Sequence, residues 1–204
     1  MIIENKNFEK LTKKQQSRII DYAEVVFTDL NAQSLNWNLK RNNPNNVRAV
    51  THGNYDRIHT CSVPSGLVSG NAIKAKSEDQ SFCFCKDHCY RPQFMLMMFM
   101  DNSEFFLKDF NLFLEYIILS CTTILITPEE NEVLKKFTQN KNGKIEIKVP
   151  VDLTYQEANI QLFERVNGKK WWQKELNTVS NYLKTPKLYI DYEKQFLVEQ
   201  HDIK

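Results

Sequence analysis

The residues in this chain best suited to chemistry stand together in Cys83-Phe84-Cys85-Lys86-Asp87-His88-Cys89-Tyr90-Arg91-Pro92. An imidazole titrates close to neutral pH and can take a proton from water. A carboxylate beside it offers a hard oxygen ligand to Mg²⁺ or Mn²⁺. A cation so held withdraws charge from a phosphate ester and stabilises the leaving oxygen. Asp87-His88 therefore suits metal-assisted hydrolysis of a phosphodiester, provided that a helix residue elsewhere adds a second ligand. The same segment also suits zinc. Cys83, Cys85 and Cys89, with His88 and Cys61 or Cys121, would supply soft ligands, although the chain has no Cys-x-x-Cys pair.

Other catalytic patterns are missing. The chain has five glycines, none spaced as a phosphate-binding loop. Ser65-Gly66 lacks the frame of a nucleophile elbow. Cys89 and His88 are neighbours, and neighbours in a strand point apart, which argues against a thiol nucleophile.

Hydrophobic periodicity and cap chemistry set the elements around this pair. An N-terminal region, 1–39, holds an amphipathic helix over 8–34. Ile19, Tyr22, Ala23, Val26, Phe27 and Leu30 line one face, and Lys13, Lys14, Arg18, Asp21, Glu24 and Asp29 line the other. Region 40–80 is loop-rich. Asn42-Asn43-Pro44-Asn45-Asn46, His52-Gly53-Asn54 and Pro64-Ser65-Gly66 read as turns, followed by a short helix over 67–76. Next comes a strand over 81–85, with Cys83 and Cys85 on one face and Phe82 and Phe84 on the other. Pro92 opens a helix whose run from Phe94 to Met100 is apolar on every side.

Asn102-Ser103 caps a helix reaching Tyr116, and 117–126 reads as a buried strand. Thr127-Pro128-Glu129-Glu130 then starts a helix that reaches about residue 138 and carries Asn131 on its first turn. Thr127 is the N-cap, Pro128 takes N1 and Glu130 completes a capping box. Region 139–204 begins with an Asn142-Gly143 turn into a strand over 144–149. Helices follow over 155–165, 172–183 and 186–200, with Trp171-Trp172 packing this lobe onto the core.

The order strand, Asp-His, insertion, strand, capped helix resembles the HNH (ββα-metal, His-Me finger) endonuclease superfamily. Lys86-Asp87-His88-Cys89-Tyr90-Arg91-Pro92 is similar to that family's Asp-His-x-x-x-Pro core. Cys121-Thr122-Thr123 and Thr127-Pro128-Glu129-Glu130-Asn131 carry the second half. The resemblance covers about fifty residues, 81–134, and departs from the family in its spacing: 43 positions separate His88 from Asn131. It implies His88 as general base, Asp87 as ligand of one divalent cation (Mg²⁺ or Mn²⁺) and Asn131 as the helix residue completing the site. Asn111 is the alternative to Asn131, and Arg91 would steady the scissile phosphate. The fold it implies is α+β: a ββα-metal core, with strands near 81–86 and 117–126 and a helix over 128–138, embedded in a mostly helical single domain.

Composition agrees with a protein of this kind without singling it out. A chain of 204 residues, 42% hydrophobic and 25% charged, has material for one core. The start shows no signal peptide, and the apolar run at 94–100 is too short to span a bilayer, so a cytoplasmic protein is expected. Five cysteines, an odd number, argue against a disulfide framework. Abundant Lys, Asn and Ile suggest an AT-rich bacterial or phage source.

The net charge of +2 hides a basic stretch from Lys40 to Lys76 with six cations against one carboxylate, Asp56. Lys40, Arg41, Arg48, Arg57, Lys74 and Lys76 would grip a DNA duplex, with Tyr55, His52 and His59 interleaved. The expectation is a DNA endonuclease, in a restriction or homing role. Reading a palindrome would imply a homodimer, with the Met-rich 94–100 segment as its interface. Two rivals differ in class: a non-catalytic nucleic-acid-binding module stabilised by structural zinc, and an interaction protein with no site.

Overall fold

The computed structural model describes residues 6–34, 62–141, 144–165, 176–178 and 185–198. In chain order the elements are α1 (Lys6–Glu9), α2 (Lys13–Ser34), β1 (Val63–Ser69), α3 (Gly70–Glu78) and β2 (Cys85–His88). Then come α4 (Pro92–Asp101), α5 (Ser103–Phe106), α6 (Phe110–Ser120), β3 (Thr122–Ile126) and α7 (Pro128–Leu134). The hairpin strands β4 (Thr138–Lys141) and β5 (Lys144–Ile147) follow, then α8 (Thr154–Glu157), β6 (Leu162–Arg165), β7 (Leu176–Thr178) and α9 (Lys187–Glu193). Five strands form one sheet in the order β2-β3-β1-β6-β7, and β4 pairs with β5 alone. The architecture is α+β with a small mixed sheet. Among the described residues, no helix is long and apolar enough to cross a membrane.

The chain divides into two compact units, Met1–Ser65 with His88–Thr123, and Gly66–Asp87 with Ile124–Lys204. The first is built around aromatic rings. Ile19, Ala23, Val26 and Leu30 recur every three or four residues and are buried, which fixes the inner face of α2. Phe27 of α2 meets Phe110 and Phe113 of α6, with ring centroids 5.5 and 5.4 Å apart. Phe99 of α4 stacks on Tyr116 at 5.1 Å, and the Tyr116 hydroxyl donates to the Met95 carbonyl at 2.9 Å. Burial drives the Tyr116 phenol well above its usual pKa. Phe94, Met95, Leu96, Met98 and Phe99 are all buried, so the run that was apolar on every side is core. Those five side chains are not available as the dimer face expected of 94–100.

Two helix boundaries in this unit differ from expectation, each because of a cap. The helix expected over 8–34 breaks before α2. There Thr12 and Gln15 form a reciprocal cap, Gln15 N donating to Thr12 Oγ1 at 3.3 Å and Thr12 N to Gln15 Oε1 at 3.0 Å. The helix expected from Asn102 to Tyr116 splits into α5 and α6. Asp109 is the N-cap of α6, its carboxylate accepting from Asn111 N at 2.7 Å. α6 runs through Ser120, so 117–120 is helix, and the strand expected over 117–126 is confined to β3.

The second unit is organised by two helix starts. Ser69 ends β1 and caps α3, its Oγ accepting from Ala72 N at 3.1 Å. Thr127 caps α7 with the full capping box, so this start is as the sequence predicts. A 3₁₀ turn over Lys135–Phe137 and then β4 take the remainder of the helix expected to 138. Pro64-Ser65-Gly66, expected as a turn, lies within β1, where Gly66 takes φ +81° with open space around its Cβ position. The helix expected over 67–76 starts only after that strand. The 82–84 segment is irregular, and β2 begins at Cys85, so Cys83 and Cys85 do not share a strand face.

The helix expected over 155–165 stops after one turn. Asn159, at φ 54°, turns the chain, and Ile160 N closes the turn on the Tyr155 carbonyl at 2.8 Å. The residues beyond become β6, antiparallel to β1 with Val68 opposite Phe163. Of the helix expected over 172–183, 176–178 is strand β7, and the remainder, with Trp171-Trp172, lies outside the described residues. The Asn142-Gly143 turn also lies outside them, although β4 and β5 on either side pair antiparallel. The last expected helix is realised as α9 and a 3₁₀ turn over Lys194–Phe196.

Candidate functional site

Asp87 and His88 are the last two residues of β2. Consecutive strand residues leave opposite faces, so Asp87 and His88 alternate in direction along β2. β2 lies beside β3 in the sheet. Cys89 N donates to the Thr122 carbonyl at 2.9 Å, the end of one strand meeting the start of the next as in an antiparallel pair. β3 then runs through the Thr127 capping box into α7, with Asn131 half-buried on the first turn.

Within the second unit, the Asp87 carboxylate has a defined partner: the Tyr155 hydroxyl donates to its Oδ2. Tyr155 is 2% exposed, so its ring cannot leave without opening the core. Cys85 shares the Asp87 side of β2 and reports the charges there. Its thiol lies above its usual pKa because of burial first, then because of the Asp87 carboxylate. Lys135 opposes that shift and Glu132 adds to it. Both lie on or just past α7, and Lys135 is one helical turn from Asn131. The 85/87 side of β2 is therefore in electrostatic range of the helix that carries Asn131.

The α7 start is anchored by a buried carboxylate. Glu130 accepts from Ser69 Oγ at 2.5 Å, Asn71 Nδ2 at 3.0 Å and Thr127 N at 2.9 Å. One side chain thus ties the N-terminus of α7 to that of α3, and Asn131 follows it directly. The capping box was legible in the sequence, but its extension to Ser69 and Asn71 was not.

In the first unit, His88 is half-buried, and its Nε2 and the Arg91 Nη2 are both shut off from solvent. Arg91 precedes α4, and its carbonyl accepts from Met95 N at 2.9 Å. Asn111 is exposed on the first turn of α6, in the helical insertion between β2 and β3, and not on the second strand.

The basic stretch is covered only in part. Lys40, Arg41, Arg48 and Arg57 lie outside the described residues. Lys74 is exposed, 4.0 Å from Glu78. Lys76 is committed to local structure. Its ammonium donates to the carbonyls of Gln80 and, at 2.9 Å, Phe82, and it lies 5.7 Å from the Phe84 ring centroid.

Two donor sets were candidates for a metal. Cys83, Cys85, Cys89 and Cys121 are all thiols; Cys83 is exposed, whereas Cys89 and Cys121 are buried. Among the described residues, no group of three or more His, Cys, Asp and Glu side chains is gathered as a metal site. Cys61 lies outside them. Asp87 and Asn131 offer oxygen donors, which suit Mg²⁺ or Mn²⁺ better than zinc. Comparison with protein-family models, with curated proteins and with solved structures gives no match to this chain.

Proposed function

We propose that this protein is a metal-dependent nuclease of the HNH type, hydrolysing phosphodiester bonds in DNA with His88 as general base. The observation that carries this reading is topological. The strand ending in Asp87-His88 neighbours β3 in the sheet, and β3 leads through a complete capping box into the helix bearing Asn131. The spacing of 43 from His88 to Asn131 is then accounted for by α4, α5 and α6, a helical insertion between two adjacent strands.

In this reading Asp87 and Asn131 hold one divalent cation. Bound there, it supplies charge neutralisation at the phosphate and at the leaving oxygen. His88, next in the chain, accepts the proton of the attacking water at an imidazole nitrogen. Arg91 steadies the non-bridging phosphate oxygens by charge-assisted hydrogen bonds. Lys40, Arg41, Arg48, Arg57 and Lys74 contribute to the grip on the duplex. Lys76 contributes less, since its ammonium already serves two carbonyls. A restriction or homing role, and a homodimer if the recognition site is palindromic, belong to the same proposal.

The test is incubation of supercoiled plasmid, single-stranded DNA and structured RNA with Mg²⁺ or Mn²⁺, against EDTA controls. Cation-dependent cutting of plasmid supports the reading. Cutting of RNA alone would move the substrate class, and cutting of none would overturn it.

A further inference from the structure

We infer that Tyr155 is the positioning residue for Asp87, holding its carboxylate in the orientation in which it ligates the cation; this rests on the reading just given. A carboxylate near a strand end can rotate about two bonds, and a cation ligand must not. The Tyr155 hydroxyl removes that freedom by donating to Oδ2. A phenol suits this task. It is neutral and donates one hydrogen bond, so it orients the carboxylate without neutralising the charge that attracts a cation.

The tyrosine is itself fixed from several sides. Its ring is buried. The preceding residue is pinned by Thr154 Oγ1 donating to the Pro150 carbonyl at 2.9 Å. Its own carbonyl accepts from Ile160 N at 2.8 Å, closing the turn that Asn159 makes. The turn before it is held by the buried Glu193, whose Oε1 accepts from Val151 N at 3.0 Å. A one-turn helix with this many ties is an expensive way to place a single hydroxyl if packing were its only role. A phenylalanine would fill the same space.

The experiment separates positioning from packing. Mn²⁺ binding is followed by the electron paramagnetic resonance of the unbound ion, for the wild-type chain, Tyr155→Phe, Asp87→Asn and the double variant. Circular dichroism and thermal melts establish that each is folded. The expected result is a Kd for Mn²⁺ raised about 10-fold or more in Tyr155→Phe, the usual scale for losing a ligand's hydrogen-bond partner. Asp87→Asn should weaken binding further, and adding Tyr155→Phe to it should change nothing more. The Mn²⁺ concentration giving half-maximal cleavage should rise in Tyr155→Phe by the same factor as Kd. Wild-type affinity in Tyr155→Phe, with affinity lost in Asp87→Asn, would overturn the role of Tyr155 and leave the cation site standing. Absence of Mn²⁺ binding in the wild type, or affinity unchanged in Asp87→Asn, would overturn the cation reading and this inference with it.

Discussion

The Tyr155 hydroxyl donates to the Asp87 carboxylate across 68 positions of chain. It gives the end of β2 a fixed carboxylate, and with Cys85 as a nearby reporter it makes the surroundings of Asp87 open to measurement.

Cys85 should report the charges around Asp87 through its reactivity. In a Cys83→Ser background with EDTA present, alkylation by iodoacetamide should show an inflection above pH 9.0, the ordinary thiol value. The folded thiol keeps its proton where the unfolded one loses it, so the stability from this group falls as pH rises past 9.0. Asp87→Asn removes a charge that raises the pKa and should move the inflection down. Lys135→Met removes one that lowers it and should move it up. Shifts in the same direction would contradict the placement of β2 relative to α7.

Glu130 should be a stability determinant. Its carboxylate is buried and accepts from Ser69, Asn71 and Thr127. Glu130→Ala strands those donors and should cost about 3 kcal/mol in urea unfolding. Thr127→Ala, which removes one half of the capping box, should cost about 1 kcal/mol. Equal and small effects would mean that the two helix starts are not tied through this carboxylate.

Phe113 should be the costliest ring to truncate in the aromatic unit. It is fully buried, with centroids 5.4 Å from Phe27, 5.8 Å from Phe99 and 6.2 Å from Tyr116. Phe113→Ala should cost about 4 kcal/mol, because neighbouring rings cannot collapse into the space. Phe105→Ala, at a 51% exposed position, should cost under about 1 kcal/mol.

What was legible in the sequence was local. The start of α7 needs only four consecutive residues, and all four behave as their chemistry requires. Pro92 opening α4 is a similar case. Expectation and structure differ where a local signal has two solutions. The residues Ile117, Ile118, Leu119 and Ser120 are all buried, so no polar face revealed their helical period. Pro64-Ser65-Gly66 has turn chemistry, yet Pro64 is an exposed position near the start of β1 and Gly66 supplies a positive φ. Asp109 and the Thr12-Gln15 pair are cap signals in the sequence that divide longer periodic runs. Tyr155 gave no signal at all, since nothing around it marks the carboxylate it reaches. The candidate pair Asp87-His88 stands out by residue type, whereas the hydrogen bond from Tyr155 to Asp87 depends on packing across 68 positions.

The role proposed for His88 is that of base in a cation-dependent phosphodiester hydrolysis. The most direct measurement is the single-turnover rate of plasmid cleavage at saturating Mn²⁺ for the wild-type chain and His88→Ala, with Mn²⁺ affinity measured on both. With His88 as the base, Mn²⁺ affinity should be unchanged and the rate lower by about 10²- to 10⁴-fold in the variant. Equal rates in the two proteins would contradict it.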